Sequence, residues 1–397
     1  MKINWQIKTL EEMCEVITRG ISPKYIYKSG ILVLNQRCIR NHVIDTQAAR
    51  RHYHLAKSFE KNKLISIGDV LVNSTGVGTL GRVASVKELT EPTTVDSHVT
   101  IVRPKKDLLD KDFFGWMMVY VEEEITNSGA GASGQIELSR SMLKAILVSY
   151  PESLLEQKRI VKILDQVFED IEKIKLNTEK NLLNIKELFE SYLKNVFIFS
   201  QYERKFLGSV CRIIGGGTPS KTGRNFLKYY NGDIFWATVR DMRSDLIIDT
   251  EYKITVDGLK NSSTNIIPKN NVVIASRVGL GKVCLLKYDT AINQDLKGII
   301  PIEPNNLSVN YLFWWLKSSA KGIMKNGSGA TVQGIKLSFI QNMQIPYPSS
   351  AEQRLIAIKL DALSAETRKL EEIYTQKLVA LEELKKSILK KAFAGDL

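Results

Sequence analysis

Apolar residues recur at steps of three and four, without a break, along two long stretches of this chain. In the first, Ile160, Leu164, Val167, Ile171, Ile174, Thr178, Asn181, Ile185, Leu188 and Tyr192 form the stripe. In the second, Ile356, Leu360, Leu363, Thr367, Leu370, Tyr374, Lys377, Leu381, Leu384 and Ile388 repeat it, each displaced by 196 positions. A mean spacing of 3.5 residues keeps one face of a helix turned toward a partner helix. Neither stripe contains Pro or Gly, so each reads as one uninterrupted helix of about 40 residues and roughly 60 Å. A helix of that length cannot bury its apolar face alone. The economical partner is the other copy, and the two are expected to pair as an antiparallel coiled coil, with Asn181 and Lys377 (and Thr178 and Thr367 nearby) as polar interruptions that help select the register.

Elsewhere the period changes. Residues 1–150 and 201–350 carry short β-branched and apolar runs (ILVLN, KLISIGDVLVNS and HVTIVRP; DIFWATV, NVVIASRV, GKVCLLKY and GIIPIEP) separated by Gly, Asn, Asp and Pro. Each region also holds one helical run near its end (DFFGWMMVYVEEEI and NYLFWWLKSSAKGIM). These are the marks of strands with a covering helix. The expected architecture is α+β, with two mixed α/β globules at 1–150 and 201–350, each followed by a spacer helix at 151–200 and 351–397.

The globules are related as the helices are. KTLEEMCEVITRGISPK at 8–24 matches KFLGSVCRIIGGGTPSK at 205–221, pairing Leu10 with Leu207, Cys14 with Cys211, Ile17 with Ile214 and Gly20 with Gly217. DVLVNSTGVGTLGRV at 69–83 matches NVVIASRVGLGKV at 271–283, and GAGASGQ at 129–135 matches GSGATVQ at 327–333. Each copy closes on a Tyr-Pro (Tyr150-Pro151, Tyr347-Pro348) and a Glu-Gln (Glu156-Gln157, Glu352-Gln353). The chain is an internal duplication with pseudo-two-fold character.

Charge is distributed unevenly over this plan. The formal net charge is +13. Residues 1–150 hold 20 Lys and Arg against 16 Asp and Glu, and 201–350 hold 19 against 10, whereas the helical regions are near neutral at 8 against 9 and 9 against 8. The excess belongs to the globules and suits a polyanion, most simply nucleic acid. Arg37, Arg40, Arg50 and Arg51 in the first globule, and Lys221, Arg224, Arg240, Arg243 and Arg277 in the second, are the candidate DNA contacts. Aromatic residues interleave with them (Tyr53; Tyr229, Tyr230 and Trp236), and the amides Asn35, Gln36, Asn293 and Gln294 are suited to base edges.

Other chemistry lacks its context. Residues 76–81 match GxGxxG but are followed by a β-rich run, and the second copy lacks the pattern, so a tight hairpin is expected there and not a dinucleotide site. GGGTPSKT at 215–222 has Ser220 where a phosphate-binding loop places Gly before Lys, and Pro219 removes a backbone donor. Cys38, His42, His52 and His54 fit no common zinc spacing, and the second copy has none of these histidines. Four scattered cysteines read as buried thiols, without a disulfide framework. No catalytic or metal-binding constellation is expected. No apolar run approaches the ~18 residues of a membrane span, and Glu11 and Glu12 interrupt the start where an export leader would be apolar. A cytoplasmic protein is expected.

Taken together, GGGTPSK with the weaker RGISPK, the GAGASGQ and GSGATVQ loops, the paired EQKRIVKILD and EQRLIAIKLD helix starts and the terminal ILKKAFAGDL resemble the specificity subunit of type I restriction-modification systems, over the whole chain. The first copy departs in reading Gly20-Ile21-Ser22-Pro23 in place of the Gly-Thr-Pro triplet. The resemblance implies two target recognition domains that each read half of a split, asymmetric site in double-stranded DNA, with the paired helices as a spacer. It also implies two modification (methyltransferase) subunits and restriction subunits as partners. This chain would then hold no cofactor, and S-adenosylmethionine would be bound by the methyltransferase partner. The alternative is a stand-alone coiled-coil nucleic-acid-binding architectural or regulatory protein, which needs no methyltransferase.

Overall fold

The two long apolar stripes are continuous helices, Leu154–Ile198 and Ser350–Phe393. The computed structural model describes residues 5–55, 58–129, 137–327 and 334–397, with 224 and 225 described by their helix alone. The chain folds into two compact units, residues 1–178 with 376–397 and residues 179–375. Each unit therefore contains one globule and part of both long helices.

In the first unit, Trp5–Thr9 pairs antiparallel with Leu147–Pro151, bringing the two ends of the globule together. The central sheet is antiparallel, with strands in the order Cys14–Arg19, Val99–Pro104, Val70–Asn73 and Val83–Ser85. A second sheet runs Thr93–Val95, Ile31–Leu34, Arg50–His52 and Tyr25–Ile26, its first pair parallel. Helix Lys111–Tyr120, capped by Asp110, buries Phe113, Phe114, Met117 and Met118 in a core completed by Ile160, Val161 and Leu164 of one long helix and Leu389, Ala392 and Phe393 of the other. The two helices run antiparallel here: Glu172 meets Lys385 at 3.4 Å, and three residues further along one helix Lys175 meets Glu382, three residues back on the other, at 2.9 Å.

The second unit repeats this plan. Arg204–Phe206 pairs with Gln344–Pro346, and the central sheet runs Cys211–Gly215, Leu296–Pro301, Val272–Ala275, Val283–Leu286 and Leu246–Ile247. A second sheet joins Tyr252–Ile254, Tyr230–Ala237, Thr290–Ile292 and Asn265–Ile267. Helix Val309–Lys325 covers the core, which also takes in Leu193, Phe197, Ala357 and Leu360.

Two expectations need correction. The buried stripe of the second long helix runs Gln353, Ala357, Leu360, Ser364, Thr367, Glu371, Tyr374, Leu378, Leu381, Lys385 and Ile388, and that of the first runs through Gln157, Val161, Leu164, Phe168, Ile171, Lys175, Thr178, Leu182, Ile185, Phe189 and Leu193. Leu164, Ile171, Ile185, Leu360, Leu381, Ile160, Ile356 and Ile388 lie on or beside it, and Val167 is half-buried. Ile174 (41% exposed), Leu188 (72%), Leu363, Leu370 and Leu384 lie on the solvent flank, as do Tyr192, Asn181 and Lys377. At these alternate positions the true stripe is one residue later. The reason is that the globule, as well as the other helix, covers this face: Phe168 packs on Trp116 with ring centroids 4.4 Å apart, and Phe189 on Trp314 at 5.8 Å. Lys175 and Lys385 bury their stems on the same stripe while their ammonium groups reach Glu382 and Glu172.

The second correction concerns the duplication. The register between Cys14–Arg19 and Val99–Pro104 shifts between Arg103 and Pro104, leaving Glu15 as an extra residue, whereas Cys211–Gly215 pairs without a shift. Cys14 therefore matches Cys211, but beyond this bulge Ile17 matches Ile213 and Gly20 matches Gly216. A Cβ on Gly20 would lie 2.0 Å from the Val95 carbonyl oxygen, and one on Gly216 would lie 2.1 Å from that of Ile292. Both positions thus require glycine for the same close approach.

Candidate nucleic-acid interface

Each globule builds the same loop cluster from elements far apart in sequence. In the first unit, strand Ile31–Leu34 leads into the 3-10 turn Gln36–Cys38, where Asn35 Oδ1 accepts the Arg37 N–H at 2.9 Å. Arg37 is exposed. Asn73 Nδ2 donates to the Gln36 carbonyl at 3.1 Å, tying this turn to the hairpin that follows Val70–Asn73. That hairpin occupies the GxGxxG segment, and Gly76, Gly78 and Gly81 take φ of 103°, 73° and 86°, a left-handed backbone that glycine adopts without strain. At its base, Ser74 N–H donates to His98 O at 2.8 Å, Leu138 N–H donates to Ser74 O at 2.9 Å, and Thr75 Oγ1 lies 2.8 Å from His98 Nδ1. Asp96 Oδ1 accepts the His98 N–H at 2.9 Å, and burial raises the Asp96 pKa.

The second unit reproduces the frame with other side chains. Thr238 caps the 3-10 turn Val239–Asp241, its Oγ1 accepting the Arg240 N–H at 3.2 Å. Arg240 is 77% exposed and approaches Glu251 to 3.5 Å. Ser276 N–H donates to Asp295 O at 2.8 Å, Ile335 N–H donates to Ser276 O at 2.9 Å, and Asn293 Oδ1 accepts the Asp295 N–H at 3.1 Å. Arg277 Nε lies 3.6 Å from Asp295 Oδ1.

The nine basic candidates fare differently. Arg37 and Arg240 occupy equivalent places, each the middle residue of its 3-10 turn. Arg40 and Arg243 are exposed, the latter donating through Nε to Arg240 O at 3.2 Å. Arg50 is exposed above the Tyr25 ring, 5.0 Å from its centroid. Arg51 grips Glu91 with both Nη atoms, at 2.7 and 2.8 Å, and donates to Gly30 O at 2.9 Å. It is therefore a structural link of its sheet. Lys221 rests its ammonium against Tyr252, Trp236 and Tyr230 at 4.3, 5.4 and 5.4 Å from the ring centroids, so its charge already has a cation–π partner. The Arg224 side chain lies outside the described residues, as do the GAGASGQ and GSGATVQ segments apart from Gly129 and Gly327.

Sequence reading missed Thr75, His98 and Asp295. The signal was present in the matched hairpins, where Ser74 aligns with Ser276 and the next residue differs. What it lacked was the strand end carrying His98 or Asp295, which only the sheet brings alongside.

Three of the four zinc candidates are engaged separately. Cys38 is buried, His42 Nε2 lies 2.8 Å from Glu122 Oε2, and His52 Nδ1 accepts the Lys24 N–H at 2.9 Å. Among the described residues no group of three or more His, Cys, Asp or Glu is placed to hold a metal ion. Burial pushes the thiols of Cys14, Cys211 and Cys284 up to about 12, which leaves them protonated and unreactive near neutrality. Among the described residues no helix is long and apolar enough to cross a membrane.

Comparison with known proteins agrees with this duplicated plan. The chain is 33% identical over 229 residues to the Type I restriction enzyme EcoR124I/EcoR124II specificity subunit of Escherichia coli, a match covering 56% of this chain and 55% of that protein, so the chain spans about half the length of that relative. It is 23% identical over 421 residues to the putative type I restriction enzyme MjaX specificity subunit of Methanocaldococcus jannaschii, covering 99% of this chain and 94% of that one. In fold it resembles a chain from a structure of complex assembly and conformational transition of the type I R-M system, with a TM-score of 0.81, 19% identity and 99% and 98% of the two chains covered. The model of the type I restriction modification DNA specificity domain matches twice, at residues 2–181 and 200–379, and the chain therefore belongs to that family, carrying its domain in two copies.

Proposed function

We propose that this chain is the DNA-reading subunit of a type I restriction-modification complex, each unit recognising one half of a bipartite, asymmetric duplex sequence. The observation that carries the reading is one family domain present twice, with the same loop frame but different exposed side chains. Two non-identical readers give two non-identical half-sites. The long helices set the number of base pairs left unread between them, and two modification subunits, with restriction subunits, dock on this chain. The chain supplies no catalytic group of its own; S-adenosylmethionine and the methyl-transfer chemistry belong to the modification subunits, and the complex works in the cytoplasm.

The test is methylation mapping in a host that expresses this chain with its modification subunits. Exchanging residues 1–150 for those of a relative should change one half of the modified sequence and leave the other half intact. Methylation whose site ignores the exchange sinks the reading.

A salt titration supplies a second check. Arg240 and Arg243 are exposed neighbours, so replacing both with Ala should weaken DNA binding and reduce the slope of log K against log salt by roughly 1.8, at about 0.9 per lost phosphate contact. An unchanged slope in the folded variant removes both from the contact surface.

A further inference from the structure

Where one chain carries the same reader twice, each copy serves as a control for the other. An exposed side chain common to both reads what the two half-sites share, which is the phosphate backbone. Arg37 and Arg240 are of this kind: same residue, same place in a capped 3-10 turn, both exposed. A position with an identical backbone frame but different chemistry is where the half-sites are told apart.

One pair of positions meets that description at the serine and at the turn facing it. Ser74 and Ser276 donate to the carbonyls of His98 and Asp295 at the same 2.8 Å, and accept from Leu138 and Ile335 at the same 2.9 Å. His98 and Asp295 both sit in a turn closed by the side chain two residues earlier, Asp96 or Asn293. On this shared frame the residue after the serine is Thr75 in one copy and Arg277 in the other, and each touches the variable residue of the turn: Thr75 Oγ1 to His98 Nδ1 at 2.8 Å, Arg277 Nε to Asp295 Oδ1 at 3.6 Å. The first pair presents a hydroxyl and an imidazole. The second presents a guanidinium with a carboxylate oxygen 3.6 Å from its Nε. The Arg277 side chain is 50% exposed and that of Asp295 19%, so the guanidinium is the more exposed member of the pair. A guanidinium matches the O6 and N7 acceptors of guanine in the major groove with its planar fork, whereas a hydroxyl–imidazole pair does not offer that fork.

Resting on the reading above that each unit recognises a half-site, we propose that Thr75–His98 and Arg277–Asp295 are the equivalent base-discriminating pairs of the two units, and that Arg277 reads a guanine.

The experiment selects sequences from a randomised duplex library with the chain assembled with its modification subunits. Wild type should yield a bipartite consensus containing a guanine that the double variant Arg277→Thr, Asp295→His no longer prefers. The loss at that position should be roughly 5- to 150-fold, as for a bidentate arginine contact, with the other half-site unchanged. The reciprocal variant, Thr75→Arg with His98→Asp, should alter one position of the other half-site only. Arg277→Lys guards against a folding defect: it keeps the charge and the loop, and should retain overall affinity with a weakened guanine preference, since an ammonium reaches the same acceptors without the planar fork. If wild type selects a bipartite consensus and these variants leave both halves as they were, the assignment of these pairs is wrong and the half-site reading stands. If wild type selects no bipartite consensus, both fall.

Discussion

Replacing Gln157 with alanine is expected to destabilise the first unit by about 3–5 kcal/mol, because three backbone groups lose their partner at once. The side chain is fully buried at the root of the first long helix. Its Oε1 accepts the Asp110 N–H at 2.7 Å, and its Nε2 donates to Leu108 O at 3.0 Å and Pro151 O at 2.9 Å. One amide thus joins the long helix, the start of helix Lys111–Tyr120 and the strand that closes the globule. Gln353 does the same in the second unit, accepting from Ser308 N–H at 2.9 Å and donating to Asn306 O and Pro348 O, both at 2.9 Å. A glutamate cannot substitute, since a carboxylate accepts but does not donate and would be buried without a cation. The Glu-Gln pairs of the two copies are therefore joints between globule and helix. Denaturant unfolding of Gln157→Ala and Gln353→Ala checks this, and a loss below about 1 kcal/mol in both would show that the amides are not the joint. A second joint lies further along each helix, where Trp116 Nε1 donates to Asp165 at 2.9 Å and Trp314 Nε1 to Asp361 at 2.8 Å.

Inserting seven residues into both long helices, after Thr178 and after Tyr374, is expected to abolish recognition of the natural site and create recognition of one with a gap about three base pairs longer. Seven residues add roughly 10.5 Å of helix, and duplex DNA rises about 3.4 Å per base pair. A full heptad returns the buried stripe to the same face, whereas three or four residues leave a phase step that the helices must absorb by local overwinding or unwinding. Thr178 and Tyr374 lie on the buried stripe, 196 positions apart, so the insertions fall at equivalent points of the two copies. Library selection with the inserted chain reads the gap directly. An unchanged gap would mean that the helices do not set it.

Much of this molecule was legible in the amino-acid sequence. Period and duplication together announced two helices of equal register and two strand-rich globules, because long apolar repeats without Pro or Gly leave few alternatives to helix, and because a second copy turns each weak local signal into a paired one. The basic surplus of the globules was equally plain, since formal charge needs no coordinates. The phase of the helical stripe was not. Leu188 and Phe189 are apolar alike and Ile174 is more apolar than Lys175, yet the choice falls to the globule, whose Trp116 and Trp314 pack on Phe168 and Phe189. Arg51 illustrates the same limit for charge: its sequence neighbourhood is basic, but the sheet brings it to Glu91, forty residues away.

The amino-acid sequence by itself determined the order of elements, the duplication and its displacement, because periodicity, glycine positions and paired motifs are properties of neighbours along the chain. Only the tertiary structure decided which residue takes up the single-position slip between copies, Glu15 at a bulge, which arginines stay exposed, and that Thr75 meets His98 where Arg277 meets Asp295. Those outcomes depend on strand pairing between segments about twenty residues or more apart, whose register is set by hydrogen bonds and burial across the sheet and leaves no local trace.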